Sequence, residues 1–343
     1  MLAHESQAKL INLSPGTEQV WINGDRPTSW RRLIWEHRHI SRIANDVSAD
    51  IVFTPYQIGA SVRGLKQVLM IRNMEPFHFN KYPYSTKSWL RNKILFRQTS
   101  KALRNADRVI AVSGFAEDCA RNSLRIATNR VRKIHHGRDL GFSPQVALEG
   151  DRVTLKSLDL QGDFLLTCGS ILPYRRCEDV IDAFDRVTEE NDQSLLLVIA
   201  GAGSDVRYAE KINKRIEASP YKSRILSAGH VSKEIMIALY RQCKLCIIAT
   251  EIEACPNIAI EAMSSGCAII SANNPPLPEM FAGCSLTYMP RDIGDLKEKI
   301  QLLLDDEQSR LNYSGQAEAR AMDFSWQRCA QETYSALVEW PEG

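Results

Sequence analysis

The sequence lacks any apolar run approaching the roughly 18 residues that a membrane-spanning helix needs. It also lacks internal repeats and low-complexity tracts, which argues against solenoid and compositionally disordered proteins. The apolar content of 44% and the charged content of 24% are typical of a globular protein. With 343 residues, the chain has room for about two domains of ordinary size.

The spacing of the cysteines matches neither a disulfide framework nor a zinc site. They number nine, and the one close pair, Cys243 and Cys246, has no second pair to complete a zinc site. The pattern therefore predicts buried free thiols in a reducing compartment rather than disulfides. No secretory signal is seen at the start of the sequence, so we expect a cytoplasmic protein.

Acidic residues are missing from residues 76–106, which carry seven lysines and arginines. Apolar residues are interleaved with these charges, which predicts a basic amphipathic helix: Trp89, Leu90, Ile94 and Phe96. Two interpretations remain open. Residues 81–104 bind an anionic membrane surface, or they form a solvated helix face beside a core stripe.

The two halves of the chain differ in charge. Residues 1–142 carry 23 lysines and arginines against 11 aspartates and glutamates, whereas the remainder carries 20 against 30. This asymmetry indicates that the first half faces something anionic. Nucleic acid is not expected, because no known binding module or aromatic stacking motif accompanies the charge.

Strand-like and helix-like segments alternate along the chain, which predicts parallel sheets covered by helices. In the first half the predicted elements are a helix at 29–45 and strands at 19–23, 50–54, 67–72 and 108–113. A polar linker is placed at 141–162, and a second alternating unit runs to about residue 305. A final helix is predicted over 325–340, with Ser325 as its N-cap.

The segment Glu253–Ser271 has the most informative pattern. Pro256 suits the first turn of a helix, and Gly266 suits the position just past its end, where positive φ is favoured. Glu253 then precedes the helix, and Glu261 lies about two turns into it. Helix N-termini favour phosphate, and carboxylates accept hydrogen bonds from sugar hydroxyls. On its own, the pattern also fits an ordinary capped helix with two exposed acids.

This segment resembles the donor-site signature of the family 4 glycosyltransferases. That signature reads Glu, small residues, Pro, apolar residues, Glu-Ala-Met, small residues, Gly and an apolar strand. Other matching segments follow in the family's order: 166–184, 195–203, 225–231, Pro278-Glu279 and 323–326. The resemblance is strong from about Ser113 to the C-terminus.

The resemblance implies an α/β protein of the GT-B fold, with two doubly wound, Rossmann-like domains facing each other across a cleft. Residues 1–145 would form the N-terminal acceptor-side domain and residues 146–322 the C-terminal nucleotide-sugar donor domain. Residues 323–343 would form a closing helix that crosses back to the first domain. The family's first strand and glycine loop are missing, and Met1–Glu5 is interpreted as the end of the helix after them. The sequence is then a fragment or begins at a late start site, or the protein is a divergent member with a trimmed first domain.

The resemblance also implies the site residues. Catalytic roles fall to Glu253, near the transferred sugar, and to Arg175, aimed at the leaving diphosphate. Glu261 would accept hydrogen bonds from the donor ribose, and Gly229 and Val231 would lie by the base. The remaining donor-binding positions are Gly169, Ser170, Ala254, Cys255, Asn257 and Ile258. The matching acceptor-side positions are Arg72, Asn73 and Ser113.

Two positions depart from the family pattern. Ser170 stands where many members have an arginine, which removes one expected positive charge unless Arg176 replaces it. Arg72 stands where the family often has a histidine near the sugar. We expect Arg72 to contact phosphate or an anionic acceptor.

The resemblance implies a retaining glycosyltransferase that moves a hexose or deoxyhexose from a nucleoside-diphosphate sugar to a glycan. The expected acceptor belongs to a lipid-linked surface polysaccharide, met by the enzyme in the cytoplasm or at the inner membrane face. The sequence has no D-x-D pair, so we expect no metal and no cofactor. Two alternatives are a non-catalytic relative that binds the donor, and a nucleotide-sugar epimerase on the same fold.

Overall fold

The computed structural model describes residues 2–4, 16, 20–22, 39–59, 62–144, 148–190, 194–203 and 205–340. Within these residues the strands form three parallel sheets, of two, four and six strands. The strands are β1 Leu2–His4, β2 Val20–Ile22, β3 Ile51–Thr54, β4 Lys66–Ile71, β5 Arg108–Ala111, β6 Val131–Lys133, β7 Phe164–Cys168, β8 Leu196–Ala200, β9 Ile225–Gly229, β10 Leu245–Ile248, β11 Ile269–Ala272 and β12 Leu286–Tyr288.

Helices connect most of these strands, as expected for parallel sheets. They are α1 Glu75–His78, α2 Thr86–Asn105, α3 Gly114–Asp118, α4 Leu148–Lys156, α5 Cys177–Glu190, α6 Val206–Glu217, α7 Lys233–Gln242, α8 Asn257–Ser264, α9 Leu277–Phe281, α10 Ile293–Asp305, α11 Glu307–Ala321 and α12 Trp326–Val338. None of the helices in the described ranges has both the length and the apolarity that crossing a bilayer requires.

The six-stranded sheet has the order β12-β11-β10-β7-β8-β9. The chain first adds β8 and β9 on one side of β7, and then returns to place β10 on its other side. In open α/β sheets such a switch leaves a crevice at the carboxyl ends of the two central strands, where ligands bind. Gly169 directly follows β7, and Glu253 lies in the loop that follows β10, so both border this crevice.

The four-stranded sheet has the order β3-β4-β5-β6 and confirms the strands predicted at 50–54, 67–72 and 108–113. The strand predicted at 19–23 is also confirmed, as β2. The interpretation of Met1–Glu5 as a helix end is wrong, because Leu2–His4 is extended and pairs in parallel with β2. Of the helix predicted at 29–45, only the part from residue 39 is described, and residues 39–46 are helical.

The central strands of the larger sheet are covered on both faces. Every side chain of β10 and β11 is buried. Strands buried on both faces read as continuous apolar runs, which is why Leu245–Ile248 shows no alternation. Helix α5 packs its apolar side against this core, with Val180, Ile181 and Phe184 fully buried. Each such side chain contributes about 1.5–3 kcal/mol of burial free energy.

The final helix packs against β5 of the four-stranded sheet. The predicted cap is confirmed, because the Ser325 side chain accepts a hydrogen bond from the backbone N–H of Arg328. At the other end, the buried Arg108 of β5 donates hydrogen bonds to the carbonyl oxygens of Ala336 and Glu339. A cation here complements the negative end of the helix dipole. The segment 141–162, predicted as a polar linker, contains α4, which packs against α7.

Two carboxylates of the six-stranded half bind the other half of the protein. Glu279 accepts a hydrogen bond from the backbone N–H of Gly114 at 2.8 Å and contacts His135 Nε2 at 2.9 Å. Asp205 accepts a hydrogen bond from Ser85 Oγ at 2.9 Å. Burial alone would raise the pKa of Glu279, but the bonds from His135 and Gly114 lower it to about 2. Charged carboxylates therefore link the two halves of the protein at neutral pH.

Candidate active site

The crevice brings three predicted site residues together. Gly169 has a φ of +113°, and a Cβ built on it would lie 3.2 Å from the Cζ and Nη1 atoms of Arg175. The guanidinium therefore lies over the backbone of Gly169, in space that a side chain would fill. Arg175 ends the short 3₁₀ turn Pro173–Arg175, and its Nη1 atom is 2.6 Å from Glu253 Oε1. A cation and an anion thus meet at the carboxyl ends of β7 and β10.

This ion pair is buried and poorly hydrogen-bonded. Each of the two side chains is only 14% exposed. In the described part of the chain, Arg175 Nε is a buried donor without a hydrogen-bond partner, and the 2.6 Å contact of Arg175 Nη1 with Glu253 Oε1 falls outside hydrogen-bond angles. The Glu253 carboxyl is also hydrogen-bonded with Thr250. Burial raises the pKa of the Glu253 carboxyl, and the charge of Arg175 offsets this only in part. The pair therefore keeps unused capacity to bind an anion and to accept hydrogen bonds.

Glu261 is oriented by a residue that the sequence pattern does not assign to the site. The buried Tyr240 hydroxyl is 3.3 Å from Glu261 Oε2 and 3.0 Å from Cys168 Sγ. Burial raises the pKa of the Glu261 carboxyl, and the Tyr240 hydrogen bond opposes this shift. Tyr240 lies in the last turn of α7, and no local sequence pattern assigns it to the site.

The segment before and within α8 supplies the other predicted donor positions. The side chains of Ala254 and Cys255 are buried, so their backbone is the part that can meet a ligand. Asn257 is exposed and Ile258 is half-buried at the start of the helix. Gly266 has a φ of +70° just after the helix, as the sequence predicts.

The remaining donor positions line the rim of the crevice. Gly229 ends β9 with a φ of +63° and open space around it, and Val231 follows half-buried. Ser170 is exposed. Arg176 does not replace the missing cation, because its guanidinium binds Asp179 and Glu178 at 2.6 and 2.9 Å.

The segment that follows β6 also contacts the start of α8. His136 Nδ1 is 3.3 Å from Asn257 Oδ1, and the imidazole stacks on Trp326 with ring centroids 5.6 Å apart. Burial, followed by the nearby charge of Arg72, lowers the pKa of His136 to about 4. The histidine is therefore neutral at physiological pH, and it holds Asn257 as a structural partner.

The acceptor-side residues are placed by local hydrogen bonds. The buried Gln57, which the sequence pattern does not single out, accepts hydrogen bonds from the backbone N–H groups of Arg72 and Asn73 at 3.2 and 2.9 Å. The Arg72 side chain is exposed, whereas Asn73 Oδ1 accepts from the N–H of Glu75. Ser113 is fully buried and caps α3. Arg72 is therefore the residue of the predicted acceptor-side set whose side chain is open to a ligand.

Two family models match the chain. The model described as "Glycosyl transferases group 1" matches residues 156–320, and "Glycosyltransferase Family 4" matches residues 5–142. A similar sequence is the serotype-specific mannosyltransferase WbdA of Escherichia coli, which is 25% identical over 239 residues. The match covers 68% of this chain but 29% of WbdA, so the chain spans less than a third of that relative.

Solved structures share the architecture. HepE from Anabaena, in complex with UDP and glucose, gives a TM-score of 0.73 at 16% identity, over 94% of this chain and 86% of HepE. WaaG, a glycosyltransferase involved in lipopolysaccharide biosynthesis, gives a TM-score of 0.73 at 12% identity, over 96% of this chain and 89% of WaaG. The family matches and the fold agree with the motif order along the sequence: the chain belongs to the family 4 glycosyltransferases and has the GT-B fold.

Proposed function

We propose that this protein is a retaining, metal-independent glycosyltransferase that moves a hexose or deoxyhexose from a nucleoside-diphosphate sugar to a glycan. The observation that carries this proposal is the buried contact of Arg175 with Glu253 over Gly169, at the switch point of the larger sheet. A diphosphate needs a cation there as the sugar leaves, and a developing sugar cation needs a nearby anion.

Arg175 serves the leaving group in this proposal. A planar guanidinium binds two phosphate oxygens at once and stays charged throughout. Charge stabilisation by Arg175 therefore takes the part that a metal ion plays in other transferases. Glu253 faces the sugar as an electrostatic partner. The acceptor hydroxyl attacks C1 from the face that the phosphate leaves, the bond from C1 to the phosphate oxygen breaks, and the hydroxyl proton passes to the leaving phosphate. The product then keeps the anomeric configuration of the donor.

The names of relatives support the proposed acceptor. WbdA is named a serotype-specific mannosyltransferase, and WaaG is involved in lipopolysaccharide biosynthesis. We propose a glycan acceptor of a surface polysaccharide, reached from the cytoplasm. A mannosyl donor is the first sugar donor to test, because WbdA is named a mannosyltransferase.

Binding of one nucleoside diphosphate is the first expected result. With UDP, GDP, dTDP or ADP at about a hundredfold over its dissociation constant, a specific ligand adds roughly 2.7 kcal/mol to the free energy of unfolding. A rise in melting temperature with one of the four identifies the base and selects the donor panel. Because the proposed reaction needs no metal ion, glycosyl transfer from the selected donor should persist when EDTA is added. No shift with any of the four, in a folded sample, contradicts the proposed donor site.

The exposed face of α2 supports binding to a membrane. Its outward stripe combines basic and apolar residues at helical spacing: Lys87, Leu90, Ile94, Arg97 and Lys101. Leu90 and Ile94 are 53% and 50% exposed, while the opposite side buries Asn92, Thr99 and Leu103. Apolar side chains beside cations suit an anionic lipid surface, and each cation contributes about 1 kcal/mol there.

Charge reversal of this stripe should release the protein from lipid. The variant Lys87→Glu/Arg97→Glu/Lys101→Glu is expected to bind phosphatidylglycerol vesicles at least about a hundredfold more weakly, since roughly 3 kcal/mol of attraction is lost. Co-sedimentation with such vesicles measures this. The matched control, Lys156→Glu/Arg186→Glu/Lys222→Glu, makes the same charge change at exposed residues of the half that contains the six-stranded sheet, and it should still bind. Equal binding by the stripe variant, or no binding by the unmodified protein, contradicts the proposal.

A further inference from the structure

The contact between Arg175 and Glu253 is unusual for a structural ion pair. Both side chains are buried and their charged atoms are 2.6 Å apart, yet neither atom of the contact has hydrogen-bond geometry. Arg175 Nε is also buried without a partner in the described part of the chain. Buried ion pairs offset their desolvation only when hydrogen bonds satisfy both groups well. This pair therefore holds its partners less firmly than its distance suggests.

We propose that Glu253 occupies the place of the diphosphate on Arg175 in the free enzyme, and that the nucleoside diphosphate displaces it. The ligand takes over the guanidinium, and the released carboxylate turns to the sugar. This inference rests on the proposed function and adds to it an exchange of partners at the donor site.

The geometry limits how the exchange occurs. A Cβ on Gly169 would lie 3.2 Å from Arg175 Cζ, so the guanidinium already lies against the backbone of Gly169 and has no room to withdraw towards β7. Glu253 lies in a loop rather than in a helix or strand, so its side chain is the part that can move. A diphosphate offers more charge and bidentate oxygens, which match the unused donors of Arg175.

The exchange has a counterintuitive consequence. Because the diphosphate must displace Glu253, the carboxylate competes with the ligand. Glu253→Gln should therefore bind the nucleoside diphosphate more tightly, by at least about threefold, while its turnover with the sugar donor falls by about a hundredfold. Calorimetric titration with whichever of UDP, GDP, dTDP or ADP stabilises the unmodified protein measures the first change, and a transfer assay measures the second.

A matched control separates exchange from simple charge repulsion. Glu251→Gln removes the same charge two residues away, but Glu251 pairs with Arg291 at 2.5 Å and not with Arg175. This variant should bind the nucleotide as the unmodified protein does. In the Arg175→Ala background, Glu253→Gln should give no gain in affinity, because the gain depends on freeing Arg175.

The outcomes distinguish the exchange from the proposed function. The exchange is overturned if Glu253→Gln also raises nucleotide affinity in the Arg175→Ala background, or if Glu251→Gln raises it equally. Either result leaves the proposed donor site in place. Unchanged or weaker nucleotide binding by Glu253→Gln also overturns the exchange. If the unmodified protein binds none of the four nucleotides, the proposed function itself fails.

Discussion

Replacing Arg175 with alanine is expected to lower kcat/KM by about a thousandfold and to weaken nucleoside-diphosphate binding by about ten- to a hundredfold. Arg175 is the predicted donor-site cation, since Ser170 stands at the other expected position and Arg176 is bound to Glu178 and Asp179. Without the Arg175 guanidinium, the departing diphosphate has no bidentate partner. Transfer assays and nucleotide titration measure the two effects.

The neighbouring arginine provides the matched control. Arg176→Ala removes the same kind of side chain one residue away, but its bonds go to Asp179 and Glu178 rather than into the crevice. It should lower the melting temperature, because it leaves a buried acid, Asp179, without its partner, while nucleotide affinity stays near that of the unmodified protein. Equal nucleotide affinity of Arg175→Ala and the unmodified protein would assign Arg175 a structural role instead.

The fold is predictable from the sequence where the pattern is long. The β4 and β5 strands show apolar runs between turn signals, and the structure confirms both. The segment at Leu2–His4 is different, because three residues do not show a period that separates strand from helix. Its conformation is set by pairing with β2, which lies further along the chain. This nonlocal pairing overrides the interpretation as a helix end, which came from the order of elements in the family.

The site is predictable where its residues lie within one motif. The loop and helix positions of Glu253 and Glu261 follow from Pro256 and Gly266, which mark the two ends of α8. The supporting residues are not predictable in this way, since each lies far along the chain from the group it holds.

These supporting contacts are nonlocal. Tyr240 reaches Glu261 across 21 positions, and His136 reaches Asn257 across 121. Their roles depend on how helices and loops pack around the crevice, which no local pattern encodes. A buried hydroxyl or imidazole beside a site residue becomes visible only when the packing is known.

Replacing Gly201 with alanine is expected to destabilise the protein by about 3 kcal/mol and to abolish nucleotide binding. A Cβ at this position would lie 1.8 Å from the carbonyl oxygen of Gly169, a distance that no side-chain movement relieves, because both atoms belong to the backbone. The ends of β7 and β8 must therefore separate, which breaks the hydrogen bond from Gly169 N to Ala200 O. Gly169 then moves out from beneath Arg175. Thermal unfolding and nucleotide titration measure the two losses.

Gly315→Ala is the matched control, since it adds the same methyl group to a glycine with different surroundings. Gly315 lies in the middle of α11, exposed, and nothing lies within 4 Å of the Cβ that would be added. Alanine there should stabilise the protein by about 0.5–1 kcal/mol, because glycine in a helix costs conformational entropy. A loss of stability in Gly201→Ala together with a gain in Gly315→Ala would show that close backbone approach, not added volume, makes Gly201 necessary. A Gly201→Ala protein that keeps its melting temperature and binds nucleotide normally would contradict the tight approach of β7 and β8 that shapes the donor site.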